Sequence, residues 1–125
     1  MRISLGKITH RAILDDSRFF PAYAAPEIVS GNSYDPMKSD VWSLGVILFV
    51  MLNAIMPFDD NNLGKLICDQ KNRSYHIREE LVGTLSADCK STLHSLLEPN
   101  PKYRCSIDQV YAMKWLRKHA EKHSS

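Results

Sequence analysis

One long apolar segment, Val41–Met56, constrains the fold of this chain more than any other stretch. Its residues are hydrophobic almost all round a helix, and the interruptions are one serine, one glycine and Asn53. A helix that is apolar on every side lies in the middle of a larger folded unit or in a membrane. The flanking Asp40 and Pro57 leave a segment shorter than the roughly 20 residues that span a bilayer. The sequence therefore predicts a buried central helix.

The composition is typical of a folded intracellular domain. Of 125 residues, 44% are hydrophobic and 24% are charged, which suits one globular domain and argues against disorder. A net charge of +2, spread along the chain, predicts neither a nucleic-acid partner nor a membrane partner. The stretch up to Phe20 lacks the continuous apolar core of a secretory signal, so we expect a cytoplasmic protein. Three cysteines without Cys-x-x-Cys spacing indicate reduced, buried thiols.

The pattern of caps and breakers predicts a mainly α fold of five or six helices with little or no sheet. Residues 1–20 are expected to form an irregular segment, residues 21–119 the domain and residues 120–125 a polar tail. Pro26 suits the first turn of a short helix that Gly31 ends. We expect a turn over Tyr34–Met37, and Ser39 or Asp40 as the cap of the central helix.

Three later helices are predicted by the same reasoning. Leu63–Lys71 carries apolar residues at helical spacing after the polar Asn61-Asn62. Ser86 precedes a clearer apolar stripe, which consists of Cys89, Leu93, Leu96 and Leu97. Ser106 with Gln109 resembles a capping box, and we expect the final helix to continue through Met113, Leu116 and a basic turn to His119.

Four segments together resemble the large, C-terminal lobe of a protein kinase. They occur in the order and at the spacing of that family: Tyr23-Ala24-Ala25-Pro26-Glu27, Asp40-Val41-Trp42-Ser43-Leu44-Gly45, Met56-Pro57-Phe58 and Pro101-Lys102-Tyr103-Arg104. Within the family the chain is most similar to the testis-specific serine/threonine kinases of the calcium/calmodulin-dependent group. The motif residues Ala25, Pro26, Glu27, Asp40, Trp42, Gly45 and Arg104 are architectural, and the resemblance covers the chain from about Pro21 to His119.

The resemblance implies specific structural roles. Glu27 and Arg104 would form a buried ion pair that ties the end of the activation segment to the later helices. Asp40 would bind the backbone of the catalytic loop, or else serve only as a helix cap. Trp42 is expected in the core. The helix face that supports catalytic elements in kinases would be left exposed in this chain, and it consists of Leu44, Ile47, Leu48 and Met51.

Kinase chemistry requires groups that this sequence lacks. They are a Gly-rich loop over the phosphates, a Lys–Glu pair, a catalytic Asp with its Asn, and an Asp-Phe-Gly that holds magnesium. We therefore predict no catalytic, cofactor-binding or metal-binding residue here, although ATP and Mg²⁺ are the family's cofactors. Whether the chain should be counted as an enzyme stays open. His119 and His123 have a spacing that can chelate a metal, but no third ligand accompanies them.

Three functional interpretations follow. The chain derives from an ATP-dependent serine/threonine kinase and is inactive by itself, or it is a non-catalytic module that docks a protein partner or substrate, or it is a truncated product of a longer active kinase. Docking would use Tyr23, Asp59, Asp60 and Leu63. The segment before Tyr23 departs from the family pattern and leaves Ser17 as a phosphorylation candidate, with an ordinary loop serine as the simpler interpretation.

Overall fold

The computed structural model describes residues 21–113, and all regular structure within that range is helical. A short 3-10 helix, Pro21–Tyr23, comes first. Six α-helices follow, namely α1 (Pro26–Val29), α2 (Pro36–Asn53), α3 (Leu63–Lys71), α4 (Glu79–Val82), α5 (Ala87–Leu96) and α6 (Ile107–Tyr111). The predicted mainly α fold is confirmed. No helix between residues 21 and 113 is long and apolar enough to cross a membrane.

The central helix α2 begins earlier than predicted. Asp35 caps it by accepting a 2.9 Å hydrogen bond from the backbone N–H of Met37, and Pro36 occupies the first helical position. The predicted turn over Tyr34–Met37 and the predicted cap at Ser39 or Asp40 are therefore wrong. Proline's fixed φ suits a first helical turn, and a carboxylate satisfies a backbone donor there. Ser39 and Asp40 lie inside the helix, and both are buried.

The end of α2 also differs from the prediction. The helix ends at Asn53 because Ala54 takes the left-handed conformation, with φ of 58°. The backbone N–H of Ala54 donates to the carbonyl of Val50 at 2.7 Å, which closes the last turn. Met56 therefore lies in the loop that follows and not in the helix.

The other predicted helix starts are confirmed. Asn62 and Ser86 each accept a hydrogen bond from a backbone N–H of the first turn, and Ser106 forms a reciprocal capping box with Gln109. The short helix α4 was not predicted. Helix α6 ends at Tyr111, and the expected continuation after Met113 lies outside the described residues.

Helix α2 lies at the centre of the core. Trp42 and Val46 pack with residues from four other segments, which are Ala25, Phe58, Leu66 and Leu97. A second cluster joins Val41 to Leu96 and Val110. Gly45 allows α5 to approach closely, since a Cβ there would lie 2.8 Å from the Leu96 Cβ.

Part of the α2 face that was predicted to be exposed, which carries Leu44, Ile47, Leu48 and Met51, is exposed in the structure. Met51 is 77% exposed and Ile47 is 37% exposed. Leu44 and Leu48 are half-buried, because both pack against the second core cluster.

The cysteines divide into three environments, and none is in a disulfide. Cys89 is buried as predicted, whereas Cys105 is half-buried and Cys68 is exposed. The prediction for Cys68 is wrong because α3 buries Leu66 and Gln70, four residues apart on one face, and Cys68 lies between them in sequence on the opposite face.

Candidate docking site

The buried ion pair expected from the sequence is present. Arg104 Nη1 lies 2.7 Å from Glu27 Oε2, and Arg104 Nη2 lies 2.9 Å from Glu27 Oε1. The two side chains are 0% and 5% exposed, respectively. This two-bond geometry fits the planar guanidinium to the carboxylate, and it joins α1 to the loop before α6.

Every remaining N–H group of Arg104 also has an acceptor. They donate to the carbonyls of Glu98, Lys38 and Pro99 at 2.7, 2.9 and 3.3 Å. Glu27 accepts a further bond from the Ser39 hydroxyl at 3.0 Å. The burial of both charges is therefore compensated by hydrogen bonds as well as by their mutual attraction.

Two polar side chains fix the segment that precedes α1. The Ser43 hydroxyl donates to the carbonyl of Tyr23 at 2.9 Å, and Gln70 Nε2 donates to the carbonyl of Ala24 at 2.9 Å. Sequence reasoning missed both. The signal for Ser43 was its position one turn after Ser39 in an otherwise apolar helix. Gln70 gave no signal, because its partner is distant in sequence.

A groove lies against this fixed segment. Its volume is about 650 Å³, and its lining comes from the 3-10 helix, the loop after α2, helix α3 and the turn after it. Three of the four docking residues expected from the sequence line it, namely Tyr23, Asp59 and Asp60, whereas Leu63 does not. Leu63 is 48% exposed at the start of α3. The lining also includes seven residues that were not among those four, namely Ala22, Met56, Pro57, Phe58, Lys65, Asp69 and Ser74.

The groove is acidic. Its charged residues are three aspartates and Lys65, and Lys65 Nζ lies 2.8 Å from Asp69 Oδ2. The Asp69 hydrogen bond and charge raise the pKa of Lys65 above its ordinary value, so the lysine stays protonated and paired. Asp59 accepts bonds from the backbone and side chain of Asn61 at 2.9 and 3.2 Å. Between residues 21 and 113, nothing hydrogen-bonds or pairs with the Asp60 carboxylate.

A family model of the protein kinase domain matches residues 5–116. The chain belongs to the protein kinase domain family. Among curated relatives, it is 41% identical to CBL-interacting serine/threonine-protein kinase 7 of Arabidopsis thaliana. The aligned region of 101 residues covers 81% of this chain and 23% of that kinase. It is also 41% identical to testis-specific serine/threonine-protein kinase 3 of Homo sapiens. There the aligned region of 108 residues covers 86% of this chain and 39% of that kinase.

A solved kinase structure shares the fold. The chain is similar to the twitchin kinase region from C. elegans with a TM-score of 0.66 and 27% identity, over 76% of this chain and 17% of that one. The expected kinase resemblance, including the testis-specific kinases among the relatives, is confirmed. The chain spans less than two-fifths of the length of the curated kinases named above.

Asp40 of the kinase motif is buried without a full set of partners. It is 8% exposed, and its Oδ1 has no hydrogen-bond partner among the described residues. Burial, and then the nearby charge of Asp35, raise the pKa of Asp40 to about 6. Its position inside α2 excludes the helix-cap role. Its expected contact with a kinase catalytic loop stays a prediction.

The expectation that this chain holds none of the kinase cofactors stays a prediction. No group of three or more His, Cys, Asp and Glu that could hold a metal occurs within residues 21–113. The groove carboxylates would repel phosphate oxygens, and the sequence has no Gly-rich loop or Asp-Phe-Gly. His119 and His123 lie outside the described residues.

Proposed function

We propose that this chain is the helical, protein-docking part of a serine/threonine protein kinase domain. The observation that carries the proposal is the buried Glu27–Arg104 pair, which holds α1, the helix directly after the groove-lining 3-10 helix, against the later part of the chain. The family reaction transfers a phosphoryl group from ATP to a protein serine or threonine. In this proposal the chain contributes the docking surface to that reaction and not the phosphate-transfer groups.

We infer that the chain alone neither binds ATP nor transfers phosphate. The inference is supported by a sequence without the phosphate-cradling loop, catalytic aspartate or magnesium ligand that the reaction requires. The test titrates the purified chain with a fluorescent ATP analogue, with and without Mg²⁺. We expect no saturable binding. Magnesium-dependent binding at micromolar analogue would overturn the inference.

The sequence encoded immediately upstream of Met1 distinguishes a kinase segment from a separate docking module. If a catalytic loop and Asp-Phe-Gly are in frame there, the longer product should phosphorylate serine or threonine in a protein substrate. In that product, Glu27→Gln should lower the rate of phosphate transfer. Glu79 is exposed on α4, so Glu79→Gln should leave the rate unchanged. A longer product with all these groups and no transferase activity would refute the kinase part of the proposal.

The second candidate function is a docking module without catalysis, and the groove favours it. The test selects peptides from an unbiased displayed library on the purified chain and repeats the binding with two variants. Tyr23→Ala alters the groove, and Tyr111→Ala is the control because Tyr111 is 74% exposed outside the groove lining. Selected peptides should lose affinity for the first variant alone. Equal binding to both variants would remove the groove as the docking site.

A cytoplasmic location belongs to the same proposal. It is supported by three cysteines that are all free thiols, as is usual in reducing compartments. A tagged protein that localises to a secretory compartment in cells would contradict it.

A further inference from the structure

We propose that Arg73 is a positioning residue of the groove, because its side chain fastens the turn after α3 to the carboxyl end of α5. This inference rests on the proposed docking function and adds a residue that controls the shape of the docking site from outside its lining. It depends on three observations, which are the backbone conformation of Arg73, the acceptors of its guanidinium group and the place of the turn in the groove wall.

The backbone of Arg73 has a conformation that arginine rarely adopts. Its φ is 54°, in the left-handed region, where it ends α3 in a Schellman motif. The N–H of Ser74 donates to the carbonyl of Asp69 at 2.9 Å, and the N–H of Arg73 donates to the carbonyl of Gln70 at 3.3 Å. Glycine is the usual residue at this position, because a side chain makes the left-handed conformation costly. We therefore expect the arginine side chain to have a role that offsets this cost.

The guanidinium group of Arg73 binds the carboxyl end of α5. Its Nη1 donates to the carbonyls of His94 and Leu97 at 2.9 and 3.3 Å, and it lies 3.3 Å from His94 Nδ1. Its Nη2 pairs with the Glu98 carboxylate, and these two side chains are only 23% and 24% exposed. The last carbonyls of a helix lack partners within the helix and carry partial negative charge, so a cation there is stabilising. A glycine could end α3 equally well, but it could not reach α5.

The turn that Arg73 fastens is part of the groove wall. Ser74 lines the groove, and the next residue, Tyr75, packs edge-on against the lining residue Phe58 with ring centroids 6.0 Å apart. Phe58 in turn stacks on Trp42, with ring centroids 5.8 Å apart and an interplanar angle of 14°. The turn is therefore attached both through the ring of Tyr75 and through the guanidinium group of Arg73. If the second attachment is lost, we expect the wall at Ser74 to move more freely, and a partner must then order it on docking.

Glu98, which receives the guanidinium group, is itself held in place by two further hydrogen bonds. Its backbone carbonyl accepts a 2.7 Å bond from Nε of Arg104, the buried partner of Glu27. Its Oε1 accepts a 3.1 Å bond from the N–H of Asn100. Arg73 therefore holds the turn against a fixed part of the chain, and the fixed part includes the residue that carries the buried ion pair.

The variant that tests the inference is Arg73→Gly, because two interpretations predict opposite results for it. If Arg73 only ends α3, glycine relieves the cost of the left-handed conformation, and the groove is unchanged. If Arg73 positions the groove, glycine keeps the helix end but releases the turn. Ala54→Gly is the matched control, because Ala54 ends α2 with a φ of 58° and is exposed outside the groove lining. It should show the relief of backbone strain alone.

Two measurements are made on the purified chain, and circular dichroism establishes that each variant is folded. Hydrogen exchange of the Ser74 amide, followed by NMR, reports local opening of the turn, and Arg73→Gly should accelerate it by at least about tenfold. Fluorescence anisotropy measures the affinity for a labelled library peptide whose binding is lost in Tyr23→Ala, and Arg73→Gly should weaken it by about three- to tenfold. Ala54→Gly should change neither. Glu98→Gln should change both in the same direction by a smaller factor, and it provides the test if Arg73→Gly does not fold.

The outcomes separate this inference from the docking function itself. If Arg73→Gly and Ala54→Gly give the same exchange rate at Ser74 and the same peptide affinity, Arg73 only ends α3 and the inference is overturned. Faster exchange with unchanged peptide affinity also overturns it, because the turn is then fastened without positioning the groove, and the docking function stands. If the library contains no peptide whose binding depends on Tyr23, the docking function fails and this inference fails with it.

Discussion

Removing one member of the Glu27–Arg104 pair should destabilise the chain far more than removing an exposed ion pair. In Arg104→Met the methionine fills much of the arginine's space, but Glu27 keeps a buried charge with only Ser39 as a hydrogen-bond partner in the described structure. The carbonyls of Glu98, Lys38 and Pro99 lose their donors as well. Breaking a buried pair in this way costs about 3–5 kcal/mol.

That loss is large relative to the whole stability of a small domain, which is about 5–15 kcal/mol. The assay is urea unfolding followed by far-UV circular dichroism, with the free energy of unfolding extrapolated to water. Asp69→Asn is the control, because it breaks the pair with the largely exposed Lys65 and should change the unfolding free energy little. Glu27→Gln provides a second measurement if Arg104→Met does not fold, since it keeps the shape of the site.

The double variant Glu27→Gln/Arg104→Met separates the charge effect from lost packing. Because it leaves no uncompensated charge, it should be more stable than the sum of the two single changes predicts, by about 0.5–3 kcal/mol. If Arg104→Met and Asp69→Asn destabilise the chain by amounts that agree within about 1 kcal/mol, the reasoning about a compensated buried pair is refuted.

Three further predictions concern other parts of the molecule. Gly45→Ala should destabilise by about 1–3 kcal/mol because its Cβ would meet Leu96 and Leu97, whereas Gly64→Ala on α3 should be neutral or stabilising; equal midpoints in urea would contradict this. Because the folded-state pKa of Asp40 is raised, the folded chain binds a proton more readily than the unfolded one, and stability should fall as pH rises from about 4 to about 6. The expected decrease in the free energy of unfolding is at most about 3 kcal/mol, and Asp40→Asn should abolish it. If Asp40→Asn leaves the pH dependence of stability unchanged, this prediction is contradicted. The isolated chain should be marginally stable and bind a hydrophobic dye through the exposed Met51 face, so sharp thermal unfolding without dye binding would refute that expectation.

Local chemistry explains why several features were predictable from the sequence. The starts of α3, α5 and α6 depend on a cap and the turn that follows it, so Asn62, Ser86 and Ser106 were sufficient to place them. The Glu27–Arg104 pair came from the family resemblance, because no local rule connects residues so far apart in sequence. Its geometry in the structure agrees with that expectation.

The missed features depend on which side chains meet in space. The start of α2 was predicted too late because Ser39 and Asp40 have side chains that often cap helices. In the structure both are buried inside the helix, and Asp35, which precedes Pro36, is the cap. The parts that Lys65 and Asp69 play in the groove follow from the placement of α3 beside the loop after α2, which periodicity does not specify. Helix propensity and spacing determine elements better than they determine the surface between them.

The stacking of Phe58 on Trp42 links the groove to the ion pair. The Arg104 guanidinium lies 5.2 Å from the centre of the Trp42 ring, and Phe58 also packs edge-on against Tyr75 at 6.0 Å. The Trp42 indole is thus in contact with both the arginine and Phe58, and Phe58 lines the groove. Because close-packed interiors transmit strain, we expect a displacement of Phe58 to be felt at Trp42 and Arg104. We therefore expect a partner in the groove to change the stability of the Glu27–Arg104 pair, and a change in that pair to alter the affinity of the groove for its partner.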